Sequence, residues 1–224
     1  MTMKNLFKDV DTIIFDNDGT LFQADLVSFP AIISGYKDLM KIYQVKLTIP
    51  SKGDINAQIG LPVKEYFKSL LPDNLQNLSD EFYTICNQHE VNNIKKGLGS
   101  LYPDVKETLI ELKKRNYKLG IVTNASLEYF NAIAETFEYH HLFDGYLCLG
   151  ERPHQDKSDL LKELLDHFKT KKGAIVGDRE NDLLAGKKYN CLTIAALYGY
   201  GSEDELKKAD ETIKSFSQLL NLFQ

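Results

Sequence analysis

Four carboxylates, a threonine, an asparagine and a lysine stand where chemistry could be done. The stretch Thr12-Ile13-Ile14-Phe15-Asp16-Asn17-Asp18-Gly19-Thr20-Leu21 opens with apolar, β-favouring residues and stops abruptly on two acids and a glycine. A short apolar run ended by a turn signal reads as a buried strand. Two more such runs end in polar groups: Leu119–Val122 leads into Thr123 and Asn124, and Ala174–Gly177 leads into Asp178, with Asp182 a helical turn further on. Parallel strands carry their carboxyl ends to one edge of the sheet, where ligand sites form. Four carboxylates gathered there repel, by roughly 4 kcal/mol for a pair 4 Å apart at an effective dielectric near 20. The site therefore holds a cation or keeps some acids protonated. An all-oxygen set without clustered His or Cys favours a hard ion, Mg²⁺ first. His89, His140, His141, His154 and His167 have no metal-ligand spacing, and His140-His141 reads as the solvated end of a helix.

Taken singly, each of these residues has an ordinary reading. Asp is common at turns, and Asp182 suits the first turn of a helix through the dipole. Thr123 could be a β-branched strand residue, and Lys157 a solvated lysine. Arg152, Arg179 and Glu180 read by default as solvated loop surface. The functional case rests on their joint placement at strand ends.

The elements that must position these groups follow from periodicity. The fold class expected is α/β, a doubly wound parallel sheet carrying a small inserted helical domain. After the first strand the β-pattern lapses. Pro30–Tyr43, with Ser28 as cap, then Ser51–Ile59, Val63–Leu71 and a longer helix from Ser79 read as helices. A strand–helix rhythm follows: a helix over Pro103–Arg115, a strand over Lys118–Thr123, a helix over Ser126–Phe137 and a weak strand over Tyr146–Leu149. Next come a helix over Lys157–Phe168, a strand over Ala174–Gly177, a helix over Asn181–Tyr189, a strand over Leu192–Ala196 and a final helix over Ser215–Phe223. The division expected is a core of residues 1–22 and 99–224 with an insert over 23–98; Gly97 and Gly99 mark a candidate hinge.

Composition bounds the rest. With 224 residues, 43% of them hydrophobic, the chain can bury a substantial core, and a balance of 27 basic to 32 acidic residues without a basic run argues against nucleic acid as a partner. Cys86, Cys148 and Cys191 are widely spaced, which suits a reducing compartment. The sequence shows no signal-peptide core and no apolar run near the roughly 20 residues of a membrane span. A cytoplasmic protein with no membrane partner is expected; monomer and homodimer both remain open.

In this order, Asp16-Asn17-Asp18-Gly19-Thr20-Leu21, Thr123 in Ile-Val-Thr-Asn, Lys157, and Gly177-Asp178-Arg179-Glu180-Asn181-Asp182 resemble the four motifs of the haloacid dehalogenase superfamily of phosphatases. The match runs along nearly the whole chain, and the insert resembles the helical cap of the phosphoglycolate phosphatase-like branch. The resemblance implies a Mg²⁺-dependent hydrolase of a small phosphorylated metabolite. Asp16 would attack phosphorus to form an aspartyl-phosphate, and Asp18 would serve as general acid and base. Asp16, the Asp18 backbone carbonyl, Asp178 and Asp182 would hold the metal; Thr123, Asn124 and Lys157 would hold phosphate.

The sequence departs from many relatives at Phe22-Gln23-Ala24, where an Asp-Ser pair is frequent, and at Ser158, where proline is. Neither touches the nucleophile. Gly60-Leu61-Pro62 resembles a cap loop that faces the site, and Lys52, Asn56, Gln58 and Lys64 flank it as readers of a polar or anionic leaving group. A sugar phosphomutase on the same scaffold and a non-enzymatic phosphoaspartate signalling module are the rival readings. A halide needs no proton from Asp18, which weighs against dehalogenation.

Overall fold

The computed structural model describes residues 6–152 and 155–224; His154 lies outside them. Among the described residues the strands are β1 (Thr12–Phe15), β2 (Lys118–Thr123), β3 (Gly145–Cys148), β4 (Gly173–Gly177), β5 (Leu192–Ala196) and β6 (Glu211–Ile213). They form one parallel sheet in the order β3-β2-β1-β4-β5-β6. β1 is continuously apolar because both sides of it are covered. Ile14 packs with Val122 and Ile175 against α7 (Lys157–Phe168) and α8 (Glu180–Lys188), through Leu160, Leu161, Leu164, Phe168 and Ala185. Ile13 and Phe15 point the other way, into a cluster with Leu109 and Leu112 of α5 (Val105–Lys114), Phe130 and Ile133 of α6 (Leu127–Phe137), and Leu219. Ile13, Ile14 and Phe15 are fully buried, each worth about 1.5–3 kcal/mol relative to exposure.

The strand order reverses direction between β1 and β4. A crevice opens at such a switch point, beyond the carboxyl ends of the two strands. The pairing aligns Phe15 with Ile121 on one side and Val176 on the other. Residues just past these positions, Asp16 and Asp178 among them, therefore emerge side by side.

Between β1 and α5 lie α1 (Asp25–Tyr43), α2 (Lys52–Asn56), α3 (Val63–Ser69) and α4 (Ser79–Lys95). α1 and α4 pack closely: Tyr36 meets Phe82 edge-on at 5.0 Å, and a Cβ at Gly35 would lie 2.3 Å from Cys86 Sγ. α1 starts earlier than the sequence suggests, and Pro30 sits inside it. Ser28 is thus not a cap; it lies within the helix and donates to Glu90. Burial of Val27 and Ser28 outweighs the helix-breaking tendency of proline, about 3 kcal/mol. Ser51 and Asp156 make capping boxes at α2 and α7, and Ser126 caps α6.

Several boundaries differ, and two short elements are added. α2 stops at Asn56 rather than at Ile59. α5 begins at Val105, after Asp104 at φ 63°, so Pro103 precedes the helix. β6 and α9 (Glu203–Leu206) were not legible as elements, being 3 and 4 residues long. The tail is a 3₁₀ turn, Phe216–Gln218, running into α10 (Leu219–Leu222). His140 and His141 are exposed in a short 3₁₀ turn. Cys86, Cys148 and Cys191 are buried, and none is in a disulfide among the described residues. No helix among the described residues is long and apolar enough to cross a membrane.

Candidate active site

Asp16 is the first residue beyond β1. Its amide donates to the Val176 carbonyl at 2.9 Å, which fixes the backbone against β4. Lys157, the first residue of α7, reaches under the sheet edge and places Nζ 2.7 Å from Asp16 Oδ1 and 2.5 Å from Asp182 Oδ1. A lysine at a helix N-terminus opposes the dipole; Asp156 caps that end. Burial disfavours the ammonium, but the Asp16 and Asp182 carboxylates outweigh it and raise its pKa.

Asp182 uses one oxygen at the start of a helix and leaves the other towards the acids. Its Oδ2 accepts the Arg179 amide at 3.0 Å and closes the start of α8. Its Oδ1 accepts no aligned hydrogen bond, although it lies within ion-pair range of Lys157. Asp178, fully buried at the end of β4, accepts from the Tyr200 amide at 2.7 Å and from Thr20 Oγ1 at 3.4 Å. Gly19 makes room for it: φ is +88°, and a Cβ there would lie 2.2 Å from Asp178 Oδ2, so a side chain is excluded by both strain and contact.

Asp16, Asp178 and Asp182 each offer a buried oxygen within 4.8 Å of the others. Burial pushes the Asp16 carboxyl up to about 7 against the pull of Lys157; burial, Asp16 and Asp182 push that of Asp178 well above the usual range. One lysine cannot neutralise three carboxylates. Compact, dry, all-oxygen and negative, with one oxygen of Asp182 lacking an aligned donor, the set fits a small hard dication. The Asp18 side chain stands apart from it. Its Oδ1 accepts from Tyr129 Oη at 3.0 Å and from Asn17 Nδ2 at 3.2 Å, and Tyr139 Oη holds Asn17 Oδ1 at 2.5 Å. Burial raises the Asp18 carboxyl to about 7, with Tyr129 opposing. Tyr129 carried no signal in the sequence beyond its place in the first turn of α6.

Thr123 ends β2, buried, with Oγ1 accepting the Ala125 amide at 3.2 Å. Asn124 lies ahead of α6 rather than at its start, since Ser126 is the cap. Its side chain donates to the Gly60 carbonyl at 2.7 Å, as does that of Asn181 at 3.2 Å. The Gly60-Leu61-Pro62 loop thus faces the site. The candidates flanking it do not: Lys52 pairs with Asp25 at 2.8 Å, Asn56 and Gln58 do not line the chamber, and Lys64 lies on an outer cleft. Arg179, read as solvated, is 13% exposed; it pairs with Glu205 at 3.1 Å and donates to the Ala57 carbonyl at 3.3 Å, joining insert to core. Arg152 pairs with Glu163 on the surface.

Insert and core enclose a chamber of about 70 Å³. Asp16, Asp18, Thr123, Asn124 and Lys157 form its floor, and Ser28, Tyr66, Phe67, Asn87 and Glu90 its ceiling. A cleft of about 750 Å³ adjoins it and shares Asn124 and Lys157.

A doubly wound sheet with buried acids at its switch point and a helical cover defines a capped α/β hydrolase. The chain belongs to the haloacid dehalogenase-like hydrolase family, whose profile matches residues 13–196. It is 31% identical to the phosphoglycolate phosphatase of Haemophilus influenzae over 128 residues, 54% of this chain and 57% of that protein, so it spans little more than half of that relative. It is 26% identical to the phosphoglycolate phosphatase of Vibrio cholerae over 222 residues, 91% of each chain. The crystal structure of a predicted phosphoglycolate phosphatase from Haemophilus somnus superimposes with a TM-score of 0.82 at 25% identity, covering 97% of this chain and 99% of that one.

Proposed function

We propose that this protein is a cytoplasmic, Mg²⁺-dependent phosphatase that hydrolyses a small phosphate monoester through an aspartyl-phosphate, with residues 23–98 as a cap over a core of 1–22 and 99–224. The observation that carries the reading is the convergence of Asp16, Asp178 and Asp182 around Lys157 at the switch point. Asp16, Asp178, Asp182 and the backbone carbonyl of Asp18 would hold the ion. When bound, Mg²⁺ supplies positive charge that offsets repulsion between carboxylate and phosphate and keeps Asp16 ionised.

An Asp16 carboxylate oxygen attacks phosphorus, and the bond to the ester oxygen breaks. Asp18, whose buried carboxyl titrates near 7, gives its proton to the departing alkoxide. A water then attacks the phosphorus and hands its proton to Asp18, and the Asp16–phosphate bond breaks. A group with a pKa near the working pH is suited to both transfers. Tyr129 and Asn17 hold Asp18 in place. Lys157 neutralises Asp16 and then the phosphate; the Thr123 hydroxyl and the Asn124 amide orient phosphate oxygens. The cap excludes water other than the attacking one.

Phosphate release from a panel of sugar, polyol and nucleotide monophosphates, with Mg²⁺ and with a chelator, tests the reading. Metal-dependent release that disappears in Asp16→Asn is expected. Isomerisation of the same sugar phosphates without release would mark a phosphomutase instead, and stable phosphorylation of Asp16 without turnover a signalling module.

A further inference from the structure

The chamber floor accounts for a phosphoryl group and leaves its ceiling unexplained. Glu90 of α4 is 6% exposed and lines the chamber with Asp16 and Asp18. It accepts a hydrogen bond from Ser28 Oγ at 2.6 Å, and among the described residues no cation pairs with it. Burial alone raises its carboxyl to about 7. A carboxylate has room for about four hydrogen bonds, so Glu90 retains acceptor capacity towards the chamber. Beside it the Tyr66 hydroxyl, 8% exposed, faces Ser28 without an aligned hydrogen bond.

The charged residues lining the chamber are Asp16, Asp18, Glu90 and Lys157, and Lys157 is already shared between Asp16 and Asp182. Lys52 is held outside by Asp25, and Lys64 belongs to the outer cleft. A second anionic group on the substrate would therefore meet a buried acid and no free cation. The chamber is half open and runs into the outer cleft, with which it shares Val63, Phe67, Tyr83, Asn124 and Lys157, so it selects by charge rather than by size.

We infer that the substrate's leaving group is an alcohol that presents hydroxyl or ammonium hydrogen-bond donors to Glu90 and carries no carboxylate. This rests on the phosphatase reading above and narrows it: the preference separates this chain from a phosphoglycolate hydrolase even though it resembles proteins of that name.

Four two-carbon esters of nearly equal size test it: 2-hydroxyethyl phosphate, phosphoethanolamine, ethyl phosphate and phosphoglycolate. With the full chain and Mg²⁺, the best donor-bearing ester is expected to exceed both ethyl phosphate and phosphoglycolate at least about tenfold in kcat/KM, because a polar site rejects ligands that leave it unpaired. Glu90→Gln keeps the shape and the Ser28 contact, and is expected to shrink the gap to phosphoglycolate at least about fivefold by removing the charge. If the natural donor is an ammonium, the same variant loses most of the phosphoethanolamine rate; if it is a hydroxyl, hydroxyethyl phosphate retains most of its rate. Phosphoglycolate turned over as well as hydroxyethyl phosphate, or ratios unchanged in Glu90→Gln, would overturn the inference. Calorimetric binding of the four esters to Asp16→Asn needs no chemistry. The expected order of Kd without any turnover by the wild type would sink the phosphatase reading and leave the inference standing. Turnover or binding without that order, or no binding of any ester, would sink the inference.

Discussion

The floor and the ceiling of the chamber follow opposite electrostatic plans. On the floor, acids are packed together with a lysine among them: Lys157 answers Asp16 and Asp182, while backbone amides answer Asp178 and Asp182. On the ceiling, Glu90 is buried with one serine hydroxyl and no cation. The floor suits a reaction that changes little between substrates. The ceiling leaves an acid with spare acceptor capacity beside Ser28. On the proposed function, chemistry and selectivity would be carried by different segments of the chain.

Substitutions should separate the two regions, and the largest effect belongs to the floor. Asp16→Asn removes the nucleophile and is expected to lower phosphate release by at least about 10⁴-fold, with an unchanged far-UV spectrum. Asp18→Asn should lose about 10²–10⁴-fold on alkyl esters. The loss should be much smaller on p-nitrophenyl phosphate, whose leaving group needs no proton; equal losses on both would remove Asp18 from the acid role. Tyr129→Phe breaks the 3.0 Å bond to Asp18 and should lower kcat about tenfold with little change in KM, as expected for about 1.4 kcal/mol of lost support.

Glu90→Gln addresses the ceiling through stability. Below pH 4.5 the acid is protonated whether the chain is folded or not. As pH rises, the unfolded chain ionises first while the folded one keeps its proton up to about 7. The wild type therefore loses stability across that window, by roughly 3 kcal/mol in all, and the variant does not. Parallel denaturation curves of the two proteins between pH 4.5 and 7 would contradict the buried state of this acid. The smallest effect is expected from Arg179→Ala, which removes one tie from the core to the Ala57 carbonyl: a KM increase of about two- to tenfold, kcat nearly constant.

The same division explains what could be read from the sequence. Asp16, Asp18, Thr123 and Asn124 were legible because each follows a short apolar run, and a parallel sheet delivers every such end to one edge; Lys157, which opens α7 after a polar stretch, stood out only through the family resemblance. The ceiling was not legible. Glu90 sits in a helix whose mean polarity looks like solvent exposure, and it is the packing of α4 against α1, α3 and α6 that buries it. Ser28 looked like a helix cap because Pro30 follows it, yet α1 begins three residues before Ser28. Lys52, Asn56, Gln58 and Lys64 are near Gly60 along the chain only, whereas the chamber is roofed largely by side chains of α1, α3 and α4. Arg179 gave no hint of its cross-contacts, because its partners Glu205 and Ala57 are remote in sequence.

One oxygen deserves a last consequence. The Gly60 carbonyl takes the side-chain amides of both Asn124 and Asn181, so separating the two halves of the protein strips two donors at a single stroke. On the proposed function, any opening of the helical insert that frees the alcohol and phosphate would break both bonds together, and the strength of that clasp would bear on the rate of release.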